Sequence, residues 1–252
     1  MAILLAMSAP AGPYYGRDLA LVHHRGFGAH ASGCADGMLA LLEPVRRSRG
    51  LVLELGCGSG LLTRYLVEAG HRVVASDASS AMLDLARSVV SDADELCRLV
   101  LPDDHLPAAD AVVSVGHALS YLADEDAIDR SLVAIAEALR PGGILAVDIC
   151  DLRWAALRGD QPTVGSVGED WAVITESTVP APNRYVRDIT TFVRVEDGSW
   201  RRGHERHENV LIDTSGVPEL LARHGVDVTV VSTIGSYQLP AGLVAIIGRR
   251  RP

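Results

Sequence analysis

Between residues 51 and 149 the chain alternates short apolar runs with longer stretches whose apolar positions recur every three or four residues. Val52, Leu53 and Leu55 predict a fully buried strand, followed by further strands at Arg72–Ser76, Leu96–Leu101, Asp110–Gly116 and Ile144–Ile149. Helical spacing lies between them. Leu61–Ala69 stops at Gly70; a helix after Asp77-Ala-Ser-Ser80 runs through Val90 with Ala81, Met82, Leu85, Ala86 and Val89 on its apolar face; Ala127–Leu139 is stopped by Pro141-Gly-Gly143. Strands and helices in this alternation predict an α/β doubly wound sheet, because parallel neighbours need crossover helices.

After Asp151 the rhythm changes. Trp171–Val179, Tyr185–Val195 and Trp200–Ile212 read as strands separated by turn signals at Pro180-Ala-Pro182 and Asp197-Gly198. No helix intervenes, so these strands are expected to be antiparallel. Pro218–His224 then reads as a helix ending at Gly225, and Val226–Ser232 with Leu243–Gly248 as a hairpin-like pair that completes a main sheet of seven strands. Upstream, residues 1–13 read as a loose extension and Tyr14–Leu42 as helix interrupted at Gly26 and Gly28. That leader either lies on the sheet edge with His23, His24 and His30 at the surface, or forms a lid over a ligand.

Composition narrows the function. A formal charge of −9 over 252 residues disfavours a protein that grips nucleic acid through its phosphates. All 23 basic residues are arginine, which excludes a Walker lysine, a Schiff-base lysine and lysine-bound pyridoxal phosphate. The four cysteines, Cys34, Cys57, Cys97 and Cys150, form no CxxC pair, and a reducing cytosol suits them best. Ala2-Ile-Leu-Leu-Ala-Met7 is apolar but lacks the basic flank of a signal peptide, and no apolar run is long enough to span a membrane.

The candidate chemistry begins where the first strand breaks into glycines, in Leu51-Val-Leu-Glu-Leu-Gly-Cys-Gly-Ser-Gly60. Glycine at alternate positions lets a ligand lie against main chain, and Asp77, ending the second strand, is placed to face a ribose. Leu61 stands where the dinucleotide fingerprint has its third glycine, so a nicotinamide dehydrogenase is disfavoured; the loop suits a ligand without a pyrophosphate. Glu54-Leu-Gly-Cys-Gly-Ser-Gly60 resembles motif I of the class I S-adenosylmethionine-dependent methyltransferases. Asp77, Asp110–Gly116 and Leu139-Arg-Pro-Gly-Gly143 match that family's later motifs in order, over residues 50–150. Asp18-Leu-Ala20 with Gly26-Phe-Gly28, His117-Ala-Leu-Ser-Tyr121, Gly168-Glu-Asp-Trp-Ala172 and Glu205-Arg-His207 are similar to a bacterial small-molecule group within it.

The resemblance implies a Rossmann-like fold of the class I methyltransferase type over residues 46–152 and 213–252, with residues 1–45 as extension and helical lid and 153–212 as an antiparallel β insertion covering the substrate. It implies S-adenosylmethionine as cofactor. Gly56, Cys57 and Gly58 would lie against its methionine part, Glu54 beside its ammonium or an ordered water, Asp77 on its ribose hydroxyls, Ala78 and Met82 on adenine, and Gly116 and His117 near the methyl. The residue touching adenine after the third strand is ambiguous in Leu99-Val-Leu-Pro-Asp-Asp104. Competing roles are a buried acid paired with arginine for Glu54, helix core for Met82 and an N-cap for Asp77.

His117 is the candidate general base, because it follows the fourth strand at the open edge of the sheet. Tyr14, His24, Phe27, Tyr121, Glu205 and His207 are candidate acceptor contacts. His204-Glu-Arg-His-Glu208 is one residue short of HExxH, and strand alternation puts His204 and His207 on opposite faces, so no metal site is expected. The expected activity is transfer of a methyl group to N or O of a small-molecule acceptor, without nucleic-acid or membrane partners. The alternative is a catalytically silent cofactor-binding or scaffold protein.

Overall fold

The computed structural model of the chain describes residues 14–90, 92–159 and 163–252. The expectations for residues 1–13, including the Ala2–Met7 run, lie outside the described residues. Two helices, α1 (Arg17–Gly26) and α2 (Ala29–Arg47), precede β1 (Leu51–Leu55), α3 (Leu61–Glu68), β2 (Arg72–Asp77), α4 (Ser80–Val89), β3 (Glu95–Arg98), β4 (Ala109–Ser114), α5 (Glu125–Ala138) and β5 (Leu139–Cys150). There follow α6 (Arg153–Arg158), β6 (Val164–Val167), β7 (Trp171–Ala181), β8 (Arg184–Arg194), β9 (Trp200–Val210), α7 (Val217–Arg223), β10 (Val226–Val231), β11 (Thr233–Ile234), β12 (Tyr237–Gln238) and β13 (Leu243–Arg250). Among the described residues no helix is long and apolar enough to cross a membrane.

The main sheet has seven strands in the order β10-β13-β5-β4-β1-β2-β3. Strands β1 to β5 are parallel, and β13 and β10 join antiparallel at one edge. From β1 the chain winds outward through β2 and β3, then crosses back to β4 and β5 on the other side. The reversal leaves a crevice above the carboxyl ends of β1 and β4, where open α/β sheets bind ligands. Both faces are covered, which is why these strands read as continuous apolar runs. Val52, Val73 and Ala146 pack on Met38, Leu42 and Leu66 on one side. Leu53, Val112 and Leu145 pack on Ile128, Leu132 and Ile135 on the other. Burying each such large side chain stabilises the fold by about 1.5–3 kcal/mol before conformational entropy is counted.

The antiparallel sheet has four strands, β6-β7-β8-β9, one more than the pattern predicts. Val164-Gly-Ser-Val167 carries no alternation because it is an exposed edge paired only with β7. A parallel bridge between Asp151 and Ile212 brings the two ends of this excursion together. Helix α1 packs on it through Leu19 and Val22, against Trp171, Val173, Ile189 and Val193. Gly26 does not break α1 but ends it where a β-carbon would come within 2.6 Å of the Trp171 ring. The surface position considered for the leader's histidines is not found. With α1 held on the second sheet, His23 turns into a cavity and His30 reaches Asp148.

Candidate active site

A cavity of about 810 Å³ opens above the carboxyl ends of β1, β2 and β4 and continues beneath α1 and β8. Its first part is built by the glycine loop. Gly56 has φ +66°, and a β-carbon there would lie 2.5 Å from that of Ala118, so only glycine lets the strand end pass this close to the neighbouring turn. The Asp77 Oδ2 accepts a bond from the Gly58 N–H at 2.8 Å and its Oδ1 one from the Ser79 N–H at 2.8 Å, which fixes the carboxylate at the cavity wall. Burial raises its pKa while these amide bonds lower it, and burial wins. Ser79, not Asp77, caps α4, its hydroxyl accepting from the Met82 N–H at 3.2 Å.

Glu54 is 2% exposed and faces the same cavity. Its partner is Thr63, whose hydroxyl donates to Oε2 at 2.7 Å, and no arginine pairs with it among the described residues. Burial pushes its carboxyl up to about 8, so a cation arriving beside it would restore the charge. After β3, Arg98, Leu99, Val100 and Leu101 line the cavity together with Ala78 and Met82, a mostly apolar wall. Asp104 instead accepts the Val100 N–H at 2.7 Å and does not line it.

The far end is set by two left-handed turns at residues other than glycine, Tyr15 at φ 64° and His117 at φ 52°. A carboxylate from another element clamps each. Asp148 on β5, fully buried, accepts from the Gly116 N–H at 2.9 Å and the His117 N–H at 2.6 Å. His30 on α2 lies 2.8 Å from the same carboxylate and its other ring nitrogen faces Tyr237 at 3.4 Å. Glu205 on β9 accepts from the Tyr15 N–H at 2.9 Å and the Gly16 N–H at 3.0 Å, and pairs with His207 at 2.9 Å. Backbone strain of this kind persists only where surrounding contacts impose it.

All of Glu54, Gly56, Cys57, Gly58, Asp77, Ala78, Met82, Gly116 and His117 border the cavity. Of the candidate acceptor contacts, Tyr14, Phe27 and Tyr121 also border it. His24 lies outside, 2.9 Å from the Ser59 hydroxyl, tying α1 to the glycine loop. Glu205 and His207 also lie behind the cavity, because Tyr14 and Tyr15 of the leader pack over the face they share. His204 is on the opposite, exposed face of β9.

Sequence reasoning missed Tyr15, His23, Trp154 and Arg187 at the far end of the cavity, and Asp148 beneath it. Asp148 carried a signal, a charge inside the apolar run Ile144–Ile149. So did Arg187, which falls on the inward face of its strand with Tyr185 and Ile189. Burial and then the Arg187 charge lower the pKa of His117 to about 3 and that of His23 to about 4, so both rings are neutral.

A family profile described as a methyltransferase domain matches residues 52–143, which hold the glycine loop, Asp77 and the Gly116-His117 turn. The chain is 32% identical over 207 residues to cypemycin N-terminal methyltransferase from a Streptomyces species, covering 80% of this chain and 82% of that one. This chain belongs to the class I S-adenosylmethionine-dependent methyltransferases. It is also 36% identical over 122 residues, 44% of its length and 51% of the relative's, to N-demethylindolmycin N-methyltransferase from Streptomyces griseus. Among solved structures the fold is shared with an S-adenosylmethionine-dependent methyltransferase from Clostridium acetobutylicum, with a TM-score of 0.76 at 17% identity over 92% of this chain and 98% of that one. It is shared too with the sugar N-methyltransferase KedS8 from a Streptoalloteichus species, with a TM-score of 0.75 at 21% identity over 98% of this chain and 100% of that one. The methyltransferase's cofactor is S-adenosylmethionine, and the site fits it: Glu54 is a buried acid without a cation, and the Gly56 cradle is a space that a β-carbon would close.

Proposed function

We propose that this methyltransferase alkylates a nitrogen or oxygen of a small molecule held between the Gly116-His117 turn and the underside of α1 and β8. The observation that carries this reading is the continuity of the cavity from Asp77 to Arg187 under a roof of leader tyrosines. A space of about 810 Å³ suits a cofactor with a compact acceptor, and the formal charge of −9 gives no support to a nucleic-acid substrate. Two relatives, N-demethylindolmycin N-methyltransferase and cypemycin N-terminal methyltransferase, support nitrogen as the acceptor atom.

When bound, S-adenosylmethionine supplies an electrophilic methyl on a sulfonium. Asp77 holds the ribose hydroxyls, Glu54 the ammonium, and Leu99, Val100 and Met82 the adenine faces. His117, neutral and with Nε2 buried and unpartnered, accepts a hydrogen bond from the attacking N–H or O–H and orients its lone pair along the line of transfer. Its low proton affinity makes it a weak base, so alignment and exclusion of water carry most of the acceleration. Tyr121, stacked 5.7 Å from the His117 ring, fixes that orientation.

An acceptor library monitored for S-adenosylhomocysteine release tests the reading. Turnover of amines or hydroxyl compounds, with saturable binding of S-adenosylmethionine and none of NAD in calorimetry, is expected. With an acceptor in hand, His117→Ala should lower kcat without displacing the cofactor; a rate within a few-fold of wild type at every pH removes the role given to His117.

A further inference from the structure

Arg187 enters the cavity from β8 and its charge is unanswered. Its Nη2 donates to the Tyr121 hydroxyl at 2.5 Å and to Asn209 Oδ1 at 3.2 Å, both neutral groups, and no carboxylate pairs with it among the described residues. Its Nε is buried with no hydrogen-bond partner. Five more buried polar atoms at or beside this end of the cavity lack partners among the described residues: His117 Nε2, His23 Nδ1, Trp154 Nε1, His207 Nδ1 and Asn209 Nδ2. Natural proteins seldom leave such groups unsatisfied, and a guanidinium cannot shed its proton to escape the cost. The His23 and His117 imidazoles stay neutral, so Arg187 is a fixed positive charge of this wall. Tyr15, Tyr121 and Trp154 line the same cavity, and aromatic surface of low polarity strengthens any charge pairing beside it.

We propose that Arg187 binds an oxyanion carried by the methyl acceptor, a carboxylate or a phosphoryl group, so that the substrate is an anionic small molecule. The inference rests on the methyltransferase reading of the same cavity. Guanidinium forks match both oxyanions, and such pairing gives the discrimination between charged and neutral acceptors that the apolar walls cannot. The Tyr121 ring lies 5.9 Å from the Arg187 guanidinium carbon and 5.7 Å from the His117 ring. One side chain therefore separates the anion seat from the turn near the methyl, and the nucleophile and the oxyanion of the acceptor are only a few bonds apart.

The test uses protein saturated with S-adenosylhomocysteine and titrated calorimetrically with benzoate, benzamide and phenyl phosphate. At least one anion is expected to bind about tenfold or more tighter than benzamide, a preference of roughly 1.4 kcal/mol. Arg187→Met should erase the preference, Arg187→Lys should keep part of it, and S-adenosylhomocysteine affinity should stay within about threefold of wild type in both, as expected when the change is confined to the acceptor wall. Whichever of benzoate and phenyl phosphate binds better identifies the group as carboxylate or phosphate. Equal binding of benzoate, phenyl phosphate and benzamide, no heat from either anion at millimolar concentration, or a preference that survives in Arg187→Met overturns the proposal. Failure of S-adenosylhomocysteine to bind counts against the methyltransferase reading instead, and the anion preference is then read on the free protein.

Discussion

The glycine-loop end and the Arg187 end of one cavity, proposed as the seats of cofactor and acceptor, are built in opposite ways. Glu54, Gly56, Gly58 and Asp77 lie within one βαβ unit, so the chain delivers them together once β1 and β2 pair. At the acceptor end Tyr15 comes from the leader, His117 from the turn after β4, Asp148 from β5, Arg187 from β8 and Glu205 from β9. The first arrangement needs local turns and two neighbouring strands. The second needs two sheets and a helix to dock, and its turns are held by the Asp148 and Glu205 carboxylates, which come from other elements. One end can accommodate an invariant ligand while the other is free to change with the acceptor.

The largest effect is expected where the two ends join. Asp148→Ala leaves the Gly116 and His117 N–H groups and His30 without their acceptor, and should destabilise the protein by about 3–5 kcal/mol. Denaturant unfolding measures this, and a loss below about 1 kcal/mol would show that the turn holds itself.

Next, a pair of variants should separate the ends. Asp77→Ala removes the acid assigned to the ribose and should weaken S-adenosylmethionine binding by about 2–3 kcal/mol, with little effect on acceptor KM. Glu205→Ala releases the Tyr15 and Gly16 N–H groups, and should cost about 1 kcal/mol of stability while raising acceptor KM more than the cofactor Kd. If both variants shift both constants alike, the ends are not independent.

The remaining effect is a proton. Glu54 ordinarily titrates near 4.5 but is raised to about 8 by burial, so between those values the folded free protein holds a proton that the unfolded chain has lost. That group therefore makes stability fall as pH rises from about 4.5 to about 8, because the folded state binds more protons. An ammonium beside Glu54 reverses the preference. Cofactor affinity should rise with pH up to about 8 and binding should release protons, seen as a dependence of calorimetric heat on buffer ionisation enthalpy. The same release from Glu54→Gln would assign the proton elsewhere.

How much of this was legible follows from chain distance. The strand and helix blocks from Leu51 to Ile149 carried the doubly wound sheet, because burial on both faces writes itself as apolar runs. The glycine loop and Asp77 carried the cofactor end, since nucleotide-like ligands seat where one strand turns into one helix. The edge strand Val164–Val167 was silent, having neither face buried. Glu205 and His207 were readable as one face of a strand, yet the tyrosines that cover that face arrive from some 190 residues away in sequence.

The sequence by itself thus determined the main sheet, its crevice and the glycine loop that borders it, because contiguous residues and near-neighbour strands build them. Only the tertiary structure decided that α1 and β8 would line the cavity, that Asp148 would hold the His117 turn and that Arg187 would face the cavity without a carboxylate partner among the described residues. Those are meetings between elements far apart in the chain, and no local propensity encodes them.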